Sequence, residues 1–124
     1  MTIILDNYTL PKTGHVELNL SFDIVISAEA AKRQVNKWLM EEVSTQMGAD
    51  TPTLIVGRRT VWRVPAHISF PHAGRFDNVG FVEVDAATGE LLELDNAKKA
   101  IINYLEKEVK HHLRSTVTST HGLP

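Results

Sequence analysis

The fold class follows from residues 61–94, which read VWRVPAHISFPHAGRFDNVGFVEVDAATGELLEL. Runs rich in β-branched and aromatic residues alternate here with turn-forming Pro, Gly, Asp and Asn, which is typical of an antiparallel meander. The predicted elements are strands at Thr60–Phe70, Val79–Val84 and Leu91–Leu94, a polar loop at Pro71–Asn78 and a tight turn at Asp85–Gly89.

Working outward, Thr53–Val56 forms a predicted hairpin with the first of these strands, across a turn at Gly57 and Arg58. Pro65 interrupts the second strand of that hairpin. Because proline cannot donate a backbone hydrogen bond, Pro65 must lie at a strand edge, at a bulge, or where its missing N–H faces away from the neighbouring strand, and we expect a kink there. An exposed edge of this kind could pair with a second copy, so a homodimer is one expectation.

The segment before the first helix shows a clear alternation of apolar and polar residues. Its apolar positions are Val16, Leu18, Leu20, Phe22, Ile24 and Ile26. A period of two is the pattern of a strand with one covered face, so we predict a long N-terminal strand over 16–26. Ile3–Leu5 is a candidate for its short partner strand.

Helical periodicity follows on either side of the meander. Ser27 is a suitable N-cap for a first helix, which Gly48 would end in a left-handed conformation. Asp95 or Asn96 would cap a final helix, and the polar residues 115–124 form a flexible C-terminal tail. The fold class is therefore α+β, with an antiparallel sheet packed against two helices in a single domain over residues 1–114.

Composition excludes several classes of protein. The chain has 124 residues, 43% hydrophobic and 23% charged, which is near the globular average. A formal charge of −2 gives no basic excess for nucleic acid, and the absence of cysteine removes disulfides and thiolate metal sites. No apolar run approaches the length that spans a bilayer or forms a secretory signal. We expect a soluble, cytoplasmic protein.

Two short motifs resemble a known family. They are Val61-Trp62-Arg63-Val64 on a strand after a helix, and Gly80-Phe81-Val82-Glu83-Val84-Asp85-Ala86-Ala87-Thr88-Gly89-Glu90 closing the next hairpin. Over residues 28–94 the order of elements is similar to that of PepSY and PepSY-like domains. The resemblance implies a small non-enzymatic module that inhibits a peptidase or regulates a partner.

Both motifs also have a purely structural explanation. Asp85 can accept backbone N–H groups within its own turn, while Gly89 supplies the positive φ that closes it. Trp62 shares its strand face with Val64, Ala66 and Ile68, which favours a place in the core.

The residues that could support chemistry do not form an established motif. His67 and His72 flank a predicted bend but lack a third metal ligand, and the neighbours His111 and His112 point about 100° apart on a helix. No serine has the flanks of a nucleophile elbow, and no glycine-rich phosphate loop occurs. We therefore predict no catalytic residues, no metal and no cofactor.

The concentrated positive charge of the chain lies around the hairpin, and it defines a possible binding surface. This surface comprises Arg58, Arg63, His67, His72 and Arg75. The leading hypothesis is a non-catalytic binding or regulatory module with a protein partner. The alternatives are a small enzyme that uses His67 and His72, with Arg75 or Asp77, and a structural homodimer.

Overall fold

The structure, a computed structural model, describes residues 2–5, 13–17 and 19–109. Its strands are β1 (Ile3–Leu5), β2 (Met47–Ala49), β3 (Thr53–Val56), β4 (Val61–Phe70), β5 (Gly74–Asp85) and β6 (Leu91–Leu92). Its α-helices are α1 (Ala28–Glu42) and α2 (Leu94–Tyr104), and a π-helical turn, Leu105–Val109, extends α2. The predicted α+β class is confirmed.

The six strands form one open sheet in the order β1-β3-β4-β5-β6, with β2 beside the far half of β4. The predicted meander is confirmed in β4, β5 and β6, which pair antiparallel. The hairpin of β3 and β4 is confirmed as well. β1 departs from the antiparallel pattern, because it runs parallel to β3.

Both helices pack on one face of the sheet. Ala31, Val35 and Leu39 of α1 share a buried cluster with Ile101 of α2. The sheet supplies alternate residues to the same cluster, among them Trp62, Val64, Ala66, Ile68, Val82 and Val84. We call the opposite face, which no described helix covers, the outer face. The core position expected for Trp62 is confirmed, and its Nε1–H donates to the carbonyl oxygen of Ile26 at 2.8 Å.

The long N-terminal strand predicted over 16–26 is wrong. The described residues 13–17 and 19–26 form no ladder, and most of their side chains are exposed. A strand needs a neighbour, and the partner expected at Ile3–Leu5 pairs with β3 instead. Near its end the segment is held by the loop after β5, where Val25 N–H donates to the carbonyl of Ala86 at 2.7 Å, and by the bond from Trp62 to Ile26.

The first helix also ends earlier than its apolar spacing indicated. Ser27 is confirmed as N-cap, since its hydroxyl accepts from Ala30 N–H, but the helix stops at Glu42. Gly48 therefore lies in β2 and not at a helix end. Long-range pairing of β2 with β4 decides this, because it buries Met47 opposite Ile68.

Two further boundaries differ from expectation. The loop predicted at Pro71–Asn78 shortens to a turn at residues 71–73, because β5 already begins at Gly74. The final helix begins at Leu94, and Glu93, with φ of 50°, precedes it without a side-chain cap. A left-handed residue at this point turns the chain sharply from β6 into α2.

Pro65 does not lie at a free edge, as β4 has neighbours on both sides. Its carbonyl accepts from Asp50 N–H at 2.8 Å, so its missing N–H faces the gap between β2 and β3. The strand is irregular not at Pro65 but just after it, where the register of β4 and β5 shifts between Ala66 and Ile68. The extra residues of β5 include Asn78, whose φ is 54°.

Other expectations lie wholly or partly outside the described residues. His111, His112 and the flexible tail at 115–124 are outside them, so the division into a domain at 1–114 and a tail stays a prediction. Within the described ranges, no helix is long and apolar enough to cross a lipid bilayer.

Candidate functional site

The register shift in the sheet gathers a polar cluster at the junction of β2, β4 and β5. It comprises Asp50, His67, Arg75 and Asp77, and we call it the Asp50 cluster. One carboxylate oxygen of Asp50 lies 2.9 Å from His67 Nδ1 and 2.7 Å from an Arg75 nitrogen. Arg75 also donates through Nε to Asp77. Asp50 is thus the residue that joins the other members.

Glycine at position 48 makes room for the imidazole of this cluster. Gly48 and His67 are cross-strand partners, and a Cβ at position 48 would come within 2.6 Å of His67 Cε1. Any larger residue there would push the ring away from Asp50. The adjacent Ala49 N–H donates to the side-chain oxygen of Asn36, which ties β2 to α1.

The pKa of Arg75 follows from its neighbours. The hydrogen bond to Asp77 raises the pKa of Arg75 above its ordinary value, and the hydrogen bond to Asp50 adds to this. The guanidinium, which is positively charged as in any arginine, bridges two carboxylates. It is largely neutralised by them, which makes it a poor site for a further anion.

A second group of polar residues surrounds the exposed ring of Phe81 on the outer face. Arg63 lies opposite Glu83 and donates to its Oε2 from Nε and a terminal nitrogen, at 3.0 and 2.9 Å. The same guanidinium stands 4.7 Å from the centroid of the Phe81 ring. Phe81 is paired with Pro65 across the strands and remains 48% exposed.

Next to this ring the surface forms a shallow depression of about 280 Å³. Arg58, Arg59 and Arg63 line it, together with Glu83 and Glu93. Arg59 is held by an ion pair of 3.3 Å with Asp85. The depression therefore mixes both charges and does not present a uniformly basic surface.

The five residues expected to form one binding surface are thus divided between places. Arg58 and Arg63 share the depression on the outer face, whereas His67 and Arg75 belong to the Asp50 cluster. His72 lies exposed in the turn between β4 and β5 and joins neither group. Asp50 was missed by sequence reasoning, because only the pairing of β2 with β4 brings it to His67.

The Asp50 cluster has part of what acid–base chemistry needs. A carboxylate bonded to one imidazole nitrogen orients the ring. Ser69, the next residue on that face of β4, lies about 7 Å farther along the strand, too far for a hydrogen bond. Across the described part of the chain, no group of three or more His, Asp or Glu side chains is arranged to hold a metal ion.

Asp85 stabilises the turn that follows β5, as expected. Its Oδ1 accepts from the N–H groups of Ala87 and Thr88 at 2.8 and 3.1 Å, and Gly89 has φ of 78°.

Comparison with known proteins found no match. No protein-family model, no curated protein and no solved structure matches the chain.

Proposed function

We propose that the protein is a non-catalytic binding or regulatory module that holds a protein partner on its outer face. One observation carries the proposal: Phe81 stays 48% exposed on the outer face, with the Arg63 guanidinium 4.7 Å from its ring. Aromatic and arginine side chains are the residues that most often dominate binding energy at protein interfaces.

Further features support a protein partner over other ligands. The depression beside Phe81 carries both arginine and glutamate, which suits the mixed polar rim of a protein interface. The resemblance to PepSY-like domains over residues 28–94 implies the same kind of role. A chain without cysteine is compatible with a cytoplasmic location, which we propose as well. Self-association also remains a proposal, although β4 near Pro65 offers no free edge for it.

The test places a photo-crosslinking benzoylphenylalanine at position 81 in the native cell. We expect an adduct with a different protein, besides any adduct with a second copy of the chain, because the modified ring keeps the position of the phenylalanine. The matched control carries the same group at Met40, which is 42% exposed on α1. Phe81→Ala and Arg63→Ala should each weaken binding of the purified partner by about tenfold or more.

Three results would count against this function. They are the same adducts from positions 81 and 40, an adduct only with a second copy of the chain, and repeated failure to recover a stoichiometric partner together with a demonstrated turnover.

A small enzyme is the second candidate, favoured by the contact of 2.9 Å between Asp50 and His67. In that case His67→Ala should abolish a screened hydrolase activity, whereas His72→Ala should leave it intact, because His72 lies outside the Asp50 cluster. Retention of the activity in His67→Ala would remove this candidate.

A further inference from the structure

Within the described residues, the exposed apolar side chains concentrate near the N-terminus. Among the large apolar residues that are exposed, most belong to the first 25 positions: Ile3, Ile4, Val16, Leu20, Phe22, Ile24 and Val25. We call residues 16–25 the arm. Such a concentration on a chain of this size marks an interaction surface more often than a random scatter.

The arm has the residue pattern of a strand but lacks a strand neighbour. Val16, Leu20, Phe22 and Ile24 stand at even positions, so in an extended chain they would all project to one side. The odd positions Glu17, Asn19, Ser21 and Asp23, and with them Val25, would project to the other side. In the monomer the alternating pattern of the arm buries none of its described apolar side chains. At the edge of a sheet, the even side chains would be buried and the odd ones would stay in contact with water.

An apolar groove beside a free sheet edge lies elsewhere on the molecule. It has a volume of about 370 Å³ and runs between β5 and α2. Gly80 and Phe81 line one side, and Ala97 and Ala100 of α2 line the other, with Leu92 at one end. The small alanine side chains leave room for larger apolar ones.

The backbone of β5 presents unused hydrogen-bonding groups to this groove. Asp85 N–H donates to Glu90 carbonyl at 2.8 Å, and Glu83 pairs with Leu92. Alternate residues of a strand direct their N–H and C=O groups to the same side, so those of Phe81 face the groove. β6 ends at Leu92, before it reaches Phe81, and no described strand continues along this edge.

We propose that the arm of a second copy adds to β5 as a further strand in this groove, and that the two copies exchange arms around a twofold axis. Main-chain hydrogen bonds to Phe81 fix the added strand. The side chains at even positions of the arm, mainly Leu20 and Phe22, enter the space beside Ala97 and Ala100. Strand addition to a free edge next to a helix is an established mode of peptide recognition.

A second copy fits the groove better than an unrelated peptide or the arm of the same chain. The arm of the same chain is tethered through Val25 to Ala86 and through Ile26 to Trp62, and it does not line the groove. Each chain has one arm and one such groove, so in an exchange about a twofold axis each arm fills the groove of the other copy. The inference does not depend on the proposed partner of the outer face, and its variants leave Arg63 and Phe81 unchanged.

Sedimentation equilibrium of the full chain tests self-association. We expect a dimer, and Phe22→Glu should raise its dissociation constant by at least about tenfold, because a charge would enter the groove. Ser21→Glu is the matched control and should leave the dimer intact, as position 21 faces away. Circular dichroism of both variants should show the wild-type fold. A wild-type monomer at the highest soluble concentration, or an undisturbed Phe22→Glu dimer, overturns the proposal.

Cysteine trapping tests where the arm binds, since the chain has no cysteine of its own. One chain carries Leu20→Cys and another carries Ala100→Cys, so any mixed disulfide must join two copies. We expect the mixed disulfide to form in high yield under mild oxidation. Leu20→Cys mixed with Arg33→Cys on α1 should give little. Equal yields from both mixtures, or a stable dimer without the first disulfide, overturn the proposed exchange.

Discussion

Gly80 shows how a single missing side chain shapes the packing of α2 on the sheet. It lies opposite Ala66 in β4, directly beneath the buried side chain of Ile101. A Cβ at this position would overlap Ile101 Cγ1. The approach of α2 to β5 therefore requires glycine here for space and not for backbone conformation.

Gly80→Ala should consequently lower the free energy of unfolding by about 1–3 kcal/mol, the usual cost of overpacking a core. Urea denaturation measures the loss. In an Ile101→Ala background the same change should cost clearly less, because the clashing atom is gone. Equal costs in both backgrounds would contradict the contact.

Asp85 is a second residue whose role can be tested alone. Its side chain is buried and accepts two backbone N–H groups of its turn. Asp85→Ala should lower the free energy of unfolding by about 1–3 kcal/mol, because it leaves those donors unsatisfied. Asp85→Asn, which keeps an acceptor oxygen, should lose less in the same denaturation experiment. Thr88→Ala is the control and should have a small effect, since the hydroxyl accepts only one exposed bond of 3.3 Å.

Among the elements, the segment before α1 depends on Trp62 for its attachment. The indole N–H donates to Ile26 carbonyl, and Val25 N–H donates to Ala86. These bonds fix the end of the arm beside the turn that follows β5. The tryptophan on the central strand thus links the N-terminal segment to the sheet.

Trp62→Phe should therefore loosen this segment as well as the core. We expect a loss of about 1–3 kcal/mol in the free energy of unfolding, from the broken hydrogen bond and the smaller ring. Limited proteolysis should cut within residues 19–25 faster than in the wild type. Trp38→Phe, a change at a half-buried position of α1, should not alter cleavage there. Equal cleavage in both variants would argue against the attachment.

The elements that sequence patterns predicted best are those whose neighbours are close along the chain. β4 and β5 are joined by a turn of residues 71–73, and the caps and turns at Ser27 and Asp85 are satisfied locally. The apolar spacing predicted Met47 in the first helix and Gly48 at its end, since the position of Met47 suits that helix too. Its strand conformation comes from pairing with Ile68, about 20 residues away.

At the scale of the whole molecule, the described helices cover one face of the sheet. Neighbouring residues of β4 therefore experience opposite surroundings: Val64 is fully buried under the helices, and Arg63 lies half-exposed on the outer face. The outer face carries Arg63 and the exposed ring of Phe81, where we propose that the partner binds.

The two positions provide a matched comparison. Val64→Ala should lower the free energy of unfolding by about 2 kcal/mol, through lost apolar contacts and a cavity. Arg63→Ala should lower it by less than about 1 kcal/mol, because its ion pair with Glu83 is partly exposed and screened by solvent. Thermal or urea unfolding compares them. Similar losses would indicate that the outer face is covered in the folded chain.

The candidate site shows the same division between local and long-range information. Residue type alone identified four candidates, Arg58, Arg63, His67 and Arg75. It did not predict which of them lie in the depression and which belong to the Asp50 cluster. No sequence motif marks Asp50 as a site residue, because it lies in a loop whose position depends on the pairing of β2. His72 follows β4 closely, but it lies exposed in the turn at residues 71–73 and is not part of the Asp50 cluster.

The sequence by itself determined the α+β class, the meander over residues 61–94, both helices and the turn at Asp85, because alternation, helical spacing and turn chemistry act over a few residues. Only the tertiary structure decided which strands pair. It joined β1 to β3, moved Met47–Ala49 into the sheet and left the described residues 16, 17 and 19–25 outside the sheet. Strand pairing depends on backbone groups that every residue carries, so the side-chain pattern cannot specify the partner.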